Sequence, residues 1–241
     1  MDRDELWTTI DAERVSLADL LAELSDAEWE RPSLCAGWRV RDVAAHLTLS
    51  HAGPTFAVPA LIRARGSFDR MVHDTAVAAA EAPTDQLVAG IRALVGSRRH
   101  AIGTTELEPL IDVLVHGQDI AVPLGRDRPV PPAAAAAAAT RVWSMGWPFW
   151  ARRRLRGVEL VATDSGWRAG TGPAVHGTTG DLLALLTGRP HVLARLSGPG
   201  AAALSGARRR SRTDEGPRPS HPSQARGEPR DGAAPARHLY P

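Results

Sequence analysis

The stretch Leu107-Glu108-Pro109-Leu110-Ile111-Asp112-Val113-Leu114-Val115-His116-Gly117-Gln118-Asp119-Ile120-Ala121 decides the reading of this 241-residue chain. Leu107, Leu110, Ile111, Leu114 and Gln118 fall on one face of a helical wheel, so the spacing predicts a helix over about 106–121, bounded by Pro123 and Gly125. Asp112, His116 and Asp119 fall roughly opposite. Asp112 and His116 stand four residues apart, which stacks both side chains on one helix face where they can share an ion. Taken plainly, that face is a solvated polar flank. Val113 and Val115 flank the pair, however, and a helix apolar nearly all round is buried, with polar residues that then require partners.

Around this helix the pattern is helical on the N-terminal side and mixed on the C-terminal side. Leu6, Ile10, Leu17, Leu20, Leu21 and Leu24 predict a helix over 3–24, and Ser25-Asp26-Ala27-Glu28 reads as a capping box opening a short helical turn around Trp29. After a loop from Pro32 to Gly37, Val40, Val43, Ala44 and Leu47 share a face over about 39–51. A third helical region covers about 55–81. Thr84 can cap a fourth, with Leu87, Ile91, Leu94 and Val95 inward. Pro131-Pro132 and the seven alanines after them start another, ending near Pro148; alanine has the best helix propensity, so the run needs no functional explanation. Trp143, Trp147 and Trp150 are expected as core or interface anchors. Beyond Arg156 the run Val158–Thr163 alternates, and Asp164-Ser165-Gly166 marks a hairpin turn. Thr178 to Leu186 reads as a short helix capped by Gly188, and Val192–Leu196 as a last strand. The expected fold is α+β: a helical domain over 1–150, a small α+β domain over 157–200, and a disordered tail over 201–241 rich in Arg, Pro and Gly, which lacks the apolar residues needed to offset its ordering entropy.

With 43% hydrophobic and 23% charged residues, the chain can bury a sizeable core and is not wholly disordered. Every basic residue is arginine. Eight arginines and four acids lie beyond residue 200, leaving 21 arginines against 23 acids before it, so the folded part is slightly acidic. A nucleic-acid partner is therefore not expected, and any polyanion binding would belong to the tail. No apolar run reaches the roughly 18 residues of a membrane span, and the polar start Met1-Asp2-Arg3-Asp4-Glu5 is unlike a secretory signal. Cys35, the single cysteine, has no partner for an internal bridge, which suits a reducing cytoplasm.

No P-loop, dinucleotide fingerprint, G-x-S-x-G elbow or paired Cys-x-x-Cys motif occurs. Histidine and carboxylate remain. His46 lies in Trp38-Arg39-Val40-Arg41-Asp42-Val43-Ala44-Ala45-His46-Leu47. If its helix neighbours that of Asp112 and His116, the three side chains can converge on zinc or a similar divalent ion, with a position left open. Asp119 can orient the His116 imidazole from behind. Arg189 and the cluster Arg152, Arg153, Arg154 and Arg156 are candidates for an anionic group, although the cluster reads more readily as a solvated helix end. Cys35 reads as a small hydrophobe rather than a ligand. His51, His73, His100, His176 and His191 have no carboxylate or cysteine at a competing spacing.

The run from Trp38 to Leu47, together with Asp112-Val113-Leu114-Val115-His116-Gly117-Gln118-Asp119-Ile120 and Pro123-Leu124-Gly125, resembles the mycothiol-dependent maleylpyruvate isomerase family. The stretch from Gly157 to Gly200, with Gly188-Arg189-Pro190, looks like that family's C-terminal domain. The resemblance implies a DinB-like four-helix bundle followed by a small α/β domain. It implies metal ligands at His46, Asp112 and His116, with aspartate where the isomerase pattern has glutamate, one methylene longer. It also implies mycothiol as co-substrate, a small electrophile as second substrate, and thiol addition or transfer or cis–trans isomerisation as the reaction. A non-catalytic protein of the same fold, holding a structural metal or an apolar ligand, is the competing expectation.

Overall fold

The computed structural model describes residues 1–50, 53–100 and 103–214. Helix α1 (Arg3–Ala22) begins at a capping box, with Asp2 accepting from the Glu5 amide and Glu5 from the Asp2 amide, both at 2.9 Å. Its inward face carries Leu6, Trp7, Ile10, Leu17 and Leu21. The short α2 (Asp26–Trp29) has Glu28 accepting from both the amide and the hydroxyl of Ser25. In α3 (Val40–Thr48), Asp42 takes the Arg39 amide at 2.8 Å and its guanidinium at 2.9–3.0 Å, which fixes the entry angle.

The expected third helical region is two helices, α4 (Pro54–Arg63) and α5 (Phe68–Ala79). Arg65 and Gly66, both at positive φ, break the run, a local turn that hydrophobic period does not register. Then follow α6 (Thr84–Arg92) and α7 (Leu107–Ala121), the latter running into a 3₁₀ turn at Val122–Leu124 that Gly125 closes in the left-handed conformation. Helices α1 and α3 each pack on both α6 and α7, which makes the four-helix bundle, and α5 lies against α3. Ile10, Leu17, Leu21, Ile91, Leu110 and Leu114 are fully buried between them, each stabilising by roughly 1.5–3 kcal/mol.

Helix α8 (Pro132–Ser144) packs on α7 on one side and on the later α10 on the other. Ala134, Ala135, Ala138, Ala139 and Val142 are wholly buried, so the alanine run has a packing role: small side chains let one helix serve two neighbours. After α9 (Ala151–Arg154), strand β1 (Glu159–Ala162) pairs antiparallel with β2 (Arg168–Gly170), Leu160 opposite Ala169, as the turn signal predicts. A third strand, β3 (Ala174–Gly177), pairs parallel with β1, Leu160 opposite Val175. Helix α10 (Thr179–Leu186) follows, its Thr178 cap accepting from the Asp181 amide. Asp164, in the β1–β2 turn, accepts the Thr179 amide at 2.8 Å and hydroxyl at 2.6 Å, tying the sheet to α10.

Two expectations fail here. Val192–Leu196 is not a strand: Pro190–Arg195 winds as a 3₁₀ helix, and only Ser197 makes a bridge to His176. Proline at its start removes a ladder donor, and Val192 is buried by winding rather than by pleating. The chain also does not lose regular structure at residue 201, because α11 (Pro199–Asp214) begins there, with Ala201 buried and Leu204 packed on the core. Gly200 lies so close to the Pro173 carbonyl that a Cβ would approach it within 2.4 Å, and this close backbone approach seats the helix. The remainder of the expected tail lies outside the described residues. Among the described residues, no helix is long and apolar enough to cross a membrane.

Candidate metal centre

Helix α7 has no solvated flank. His116 is 2% exposed and Asp119 0%, because the face carrying them is covered by the Pro32–Trp38 loop on one side and by the α10 C-terminus on the other. The loop is held by bonds from the Ser33 amide to the Trp38 carbonyl and from the Leu34 amide to the Asp119 carbonyl. That places Cys35, 3% exposed, against α7, where its thiol donates to Asp119 Oδ2 at 3.1 Å. Across the junction, Thr187 ends α10 and Gly188, at φ 89°, turns the chain so that Arg189 enters the bundle.

Asp119 is the hub. Its Oδ2 pairs with His116 Nδ1 at 3.0 Å and accepts from Arg189 Nη2 at 2.6 Å, while Oδ1 accepts from Arg189 Nε at 3.1 Å. Burial alone would raise its pKa, but the Arg189 charge and the bonds from His116 and Arg189 together hold it well below the usual carboxylate range. A carboxylate that stays ionised favours a proton on the Nδ1 of His116, the ring atom that faces it. The Cys35 thiol is pushed well above its ordinary value by burial and then by the Asp119 charge, against a smaller opposing effect of Arg189.

The structure brings His46 to His116: the two rings meet edge to face with centroids 5.0 Å apart. The Trp38 ring also packs on His46, tilted, with centroids 5.4 Å apart. Burial above all pushes the His46 pKa down to about 3, so the ring is neutral at physiological pH. Asp112 lies one turn before His116 and lines a water-sized cleft with Arg14, Leu47 and Ser50. Its pKa is raised by burial, against the pull of His116.

The expected trio is therefore only partly gathered. Among the described residues, the trio of ligand atoms lying within 4.8 Å of one another is Cys35, His116 and Asp119. Those three could hold an ion, and the sequence reading passed over Cys35 and gave Asp119 only a supporting place. They are also mutually hydrogen-bonded, and Arg189 already neutralises Asp119. An ion there would have to displace both a guanidinium and a thiol proton.

Arg189, expected near an anionic group, spends its fork on Asp119 and donates Nη1 to the Thr187 carbonyl at 2.8 Å. It is 5% exposed. Of the arginine cluster, Arg154 donates to the Phe149 and Leu186 carbonyls, and Arg152 stands over the Trp143 ring. His51 lies outside the described residues. His191 has both ring nitrogens buried without a hydrogen-bond partner.

Residues 10–110 match the family model described as the mycothiol maleylpyruvate isomerase N-terminal domain. That match contains His46 and ends two residues short of Asp112. Two solved structures are similar over more of the chain. The crystal structure of the mycothiol-dependent maleylpyruvate isomerase is 14% identical, covers 83% of this chain and 94% of its own, and superposes with a TM-score of 0.57. A histidine-to-alanine mutant of that isomerase gives 15% identity, the same coverage and a TM-score of 0.56. A search of curated protein sequences found no match. At these identities the solved structures speak for the fold, and the family model speaks for the bundle. Residues 10–110 are thus similar to the mycothiol maleylpyruvate isomerase N-terminal domain, and the fold of the chain, beyond that stretch as well, is similar to that of the isomerase.

Proposed function

We propose that this chain is a cytoplasmic, mycothiol-dependent metalloenzyme, with His46, Asp112 and His116 holding a divalent ion, zinc by the chemistry of the donors. The observation that carries this reading is the meeting of the His46 and His116 rings at 5.0 Å, with His116 Nδ1 already given to a buried carboxylate. Two imidazole nitrogens and a carboxylate oxygen suit a borderline-soft ion, and three protein ligands leave a coordination position free. When bound, the ion supplies a Lewis acid that lowers the pKa of a thiol beside it, so that a small thiol is available as thiolate at neutral pH. The chain's own residues do the rest. Burial keeps His46 neutral, and Asp119 fixes the proton and the plane of His116. Trp38 supplies an apolar wall against which His46 is held.

The reaction class follows from the family: addition of mycothiol to an activated double bond, with rotation and release for isomerisation, or stopping at the adduct for transfer. The test is turnover by the purified full chain supplied with mycothiol and maleylpyruvate, and then with other small electrophiles. Loss of turnover on chelation and recovery on adding zinc are expected. Adequate folding and bound zinc without turnover of maleylpyruvate or of any other electrophile would leave a non-catalytic metal protein instead.

A further inference from the structure

We propose that Arg189 is a positioning residue that makes metal binding in the bundle depend on docking of the C-terminal part. The inference rests on the reading of His116 as a ligand. His116 belongs to α7, and its Nδ1 partner is Asp119, one turn on. The charge that stabilises Asp119 comes from outside the bundle, from the turn after α10. Three features aim that guanidinium. The Arg189 amide donates to the Ala184 carbonyl at 2.8 Å, Gly188 supplies the left-handed turn, and Arg189 Nη1 is tied to the Thr187 carbonyl. The side chain then delivers its charge to the Asp119 carboxylate, which it grips through two nitrogens, with Nη2 also 3.8 Å from the Cys35 sulfur.

Undocking would remove the two guanidinium bonds that hold the buried Asp119 carboxylate facing His116 and leave it free to turn outward. His116 then loses the acceptor that sets its tautomer and ring plane. The space beside Asp119 and Arg189, bounded by Gln118, Leu183 and His191, is water-sized, so Arg189 has no room there to meet a substrate as well. The bundle's proposed ligand is thereby completed by a residue 73 positions further along the chain, in the other part of the molecule.

The experiment measures zinc affinity of the full chain by competition with a chromophoric chelator, with circular dichroism to verify folding. Arg189→Met and Asp119→Asn are each expected to weaken affinity about 10–100-fold, as removal of a group behind a metal ligand does. The double variant should be no weaker than the worse single, because both act through one path. Arg189→Lys, which keeps the charge and loses the fork, should fall between wild type and Arg189→Met, and it decides the matter if the methionine variant does not fold. Arg154→Met removes another arginine that donates to the end of α10 but does not touch Asp119, and should leave affinity unchanged. The proposal is overturned if zinc affinity in folded Arg189 variants equals that of wild type, if the single losses multiply, or if Arg154→Met is as damaging. A wild-type chain that binds no zinc would instead overturn the function proposed above.

Discussion

Replacing Asp119 by asparagine removes one charge and almost no volume, so the loss it causes is electrostatic. Asp119 is 0% exposed and receives four side-chain contacts: two from Arg189 at 2.6 and 3.1 Å, one from Cys35 at 3.1 Å and one from His116 at 3.0 Å. Asparagine can keep one or two of these, but the guanidinium of Arg189, 5% exposed, is left without a countercharge. Breaking a buried pair from one side costs about 3–5 kcal/mol, which for a chain of this size lowers the melting temperature by roughly 6–20 °C. Urea unfolding of the metal-free protein at pH 7 measures it directly. Because the folded Asp119 pKa lies below its unfolded value, its contribution is complete above about pH 4 and is lost as pH falls below that value. The gap between wild type and Asp119→Asn should therefore narrow in acid. The double variant Asp119→Leu with Arg189→Met leaves no orphaned charge and should be more stable than Asp119→Asn alone. A single variant within about 1 kcal/mol of wild type, or a double variant less stable than the single, would refute the account of this hub.

Other consequences can be checked in the same way. Gly117→Ala should destabilise by about 1–3 kcal/mol in urea although alanine is the better helix former. Its Cβ would approach Arg128 Nε within 2.7 Å, and bonds to Ser16 and Glu13 hold that arginine in place; a stabilised variant would contradict this. Gly200→Ala should likewise destabilise, since its Cβ would meet the rigid Pro173 carbonyl, whereas an α11 not seated on β3 would leave the urea midpoint unchanged. His46 has a folded pKa below its unfolded one, so its neutral burial is harmless above about pH 6.5 and costs stability as pH falls from there toward 3, by up to about 1.4 kcal/mol per pH unit. In chelator-treated protein, His46→Gln should flatten that slope, and equal slopes would refute the burial argument.

Much of the fold was legible because it rests on local chemistry. The Ser25–Glu28 capping box, the period of α7 and the Asp164-Ser165-Gly166 turn each stand where the residues predict. The errors arise where a partner distant in sequence decides. A helical wheel assigns Asp119 and His116 to water because it holds no information on Arg189 or on the Pro32–Trp38 loop that cover them. Cys35 was legible as buried but not as a donor to Asp119, a contact set by a loop crossing α7. The four-residue spacing of Asp112 and His116 was readable, and so was the place of His46 on a helix, but not that this helix lies against theirs. That the two imidazoles come within 5.0 Å while Asp112 turns toward the cleft with Arg14 is a matter of packing. Strand β3 escaped notice because a run of four residues between glycines carries too little alternation to stand out.

The central claim is that the imidazoles of His46 and His116 hold one ion, and zinc stoichiometry with affinity across ligand variants tests it most directly. The account predicts one zinc per wild-type chain, binding abolished or weakened at least about 100-fold in both His46→Ala and His116→Ala, and only a modest change in Cys35→Ser. A chain that keeps its zinc after His46→Ala and loses it after Cys35→Ser would contradict the account and move the ion to Cys35, His116 and Asp119.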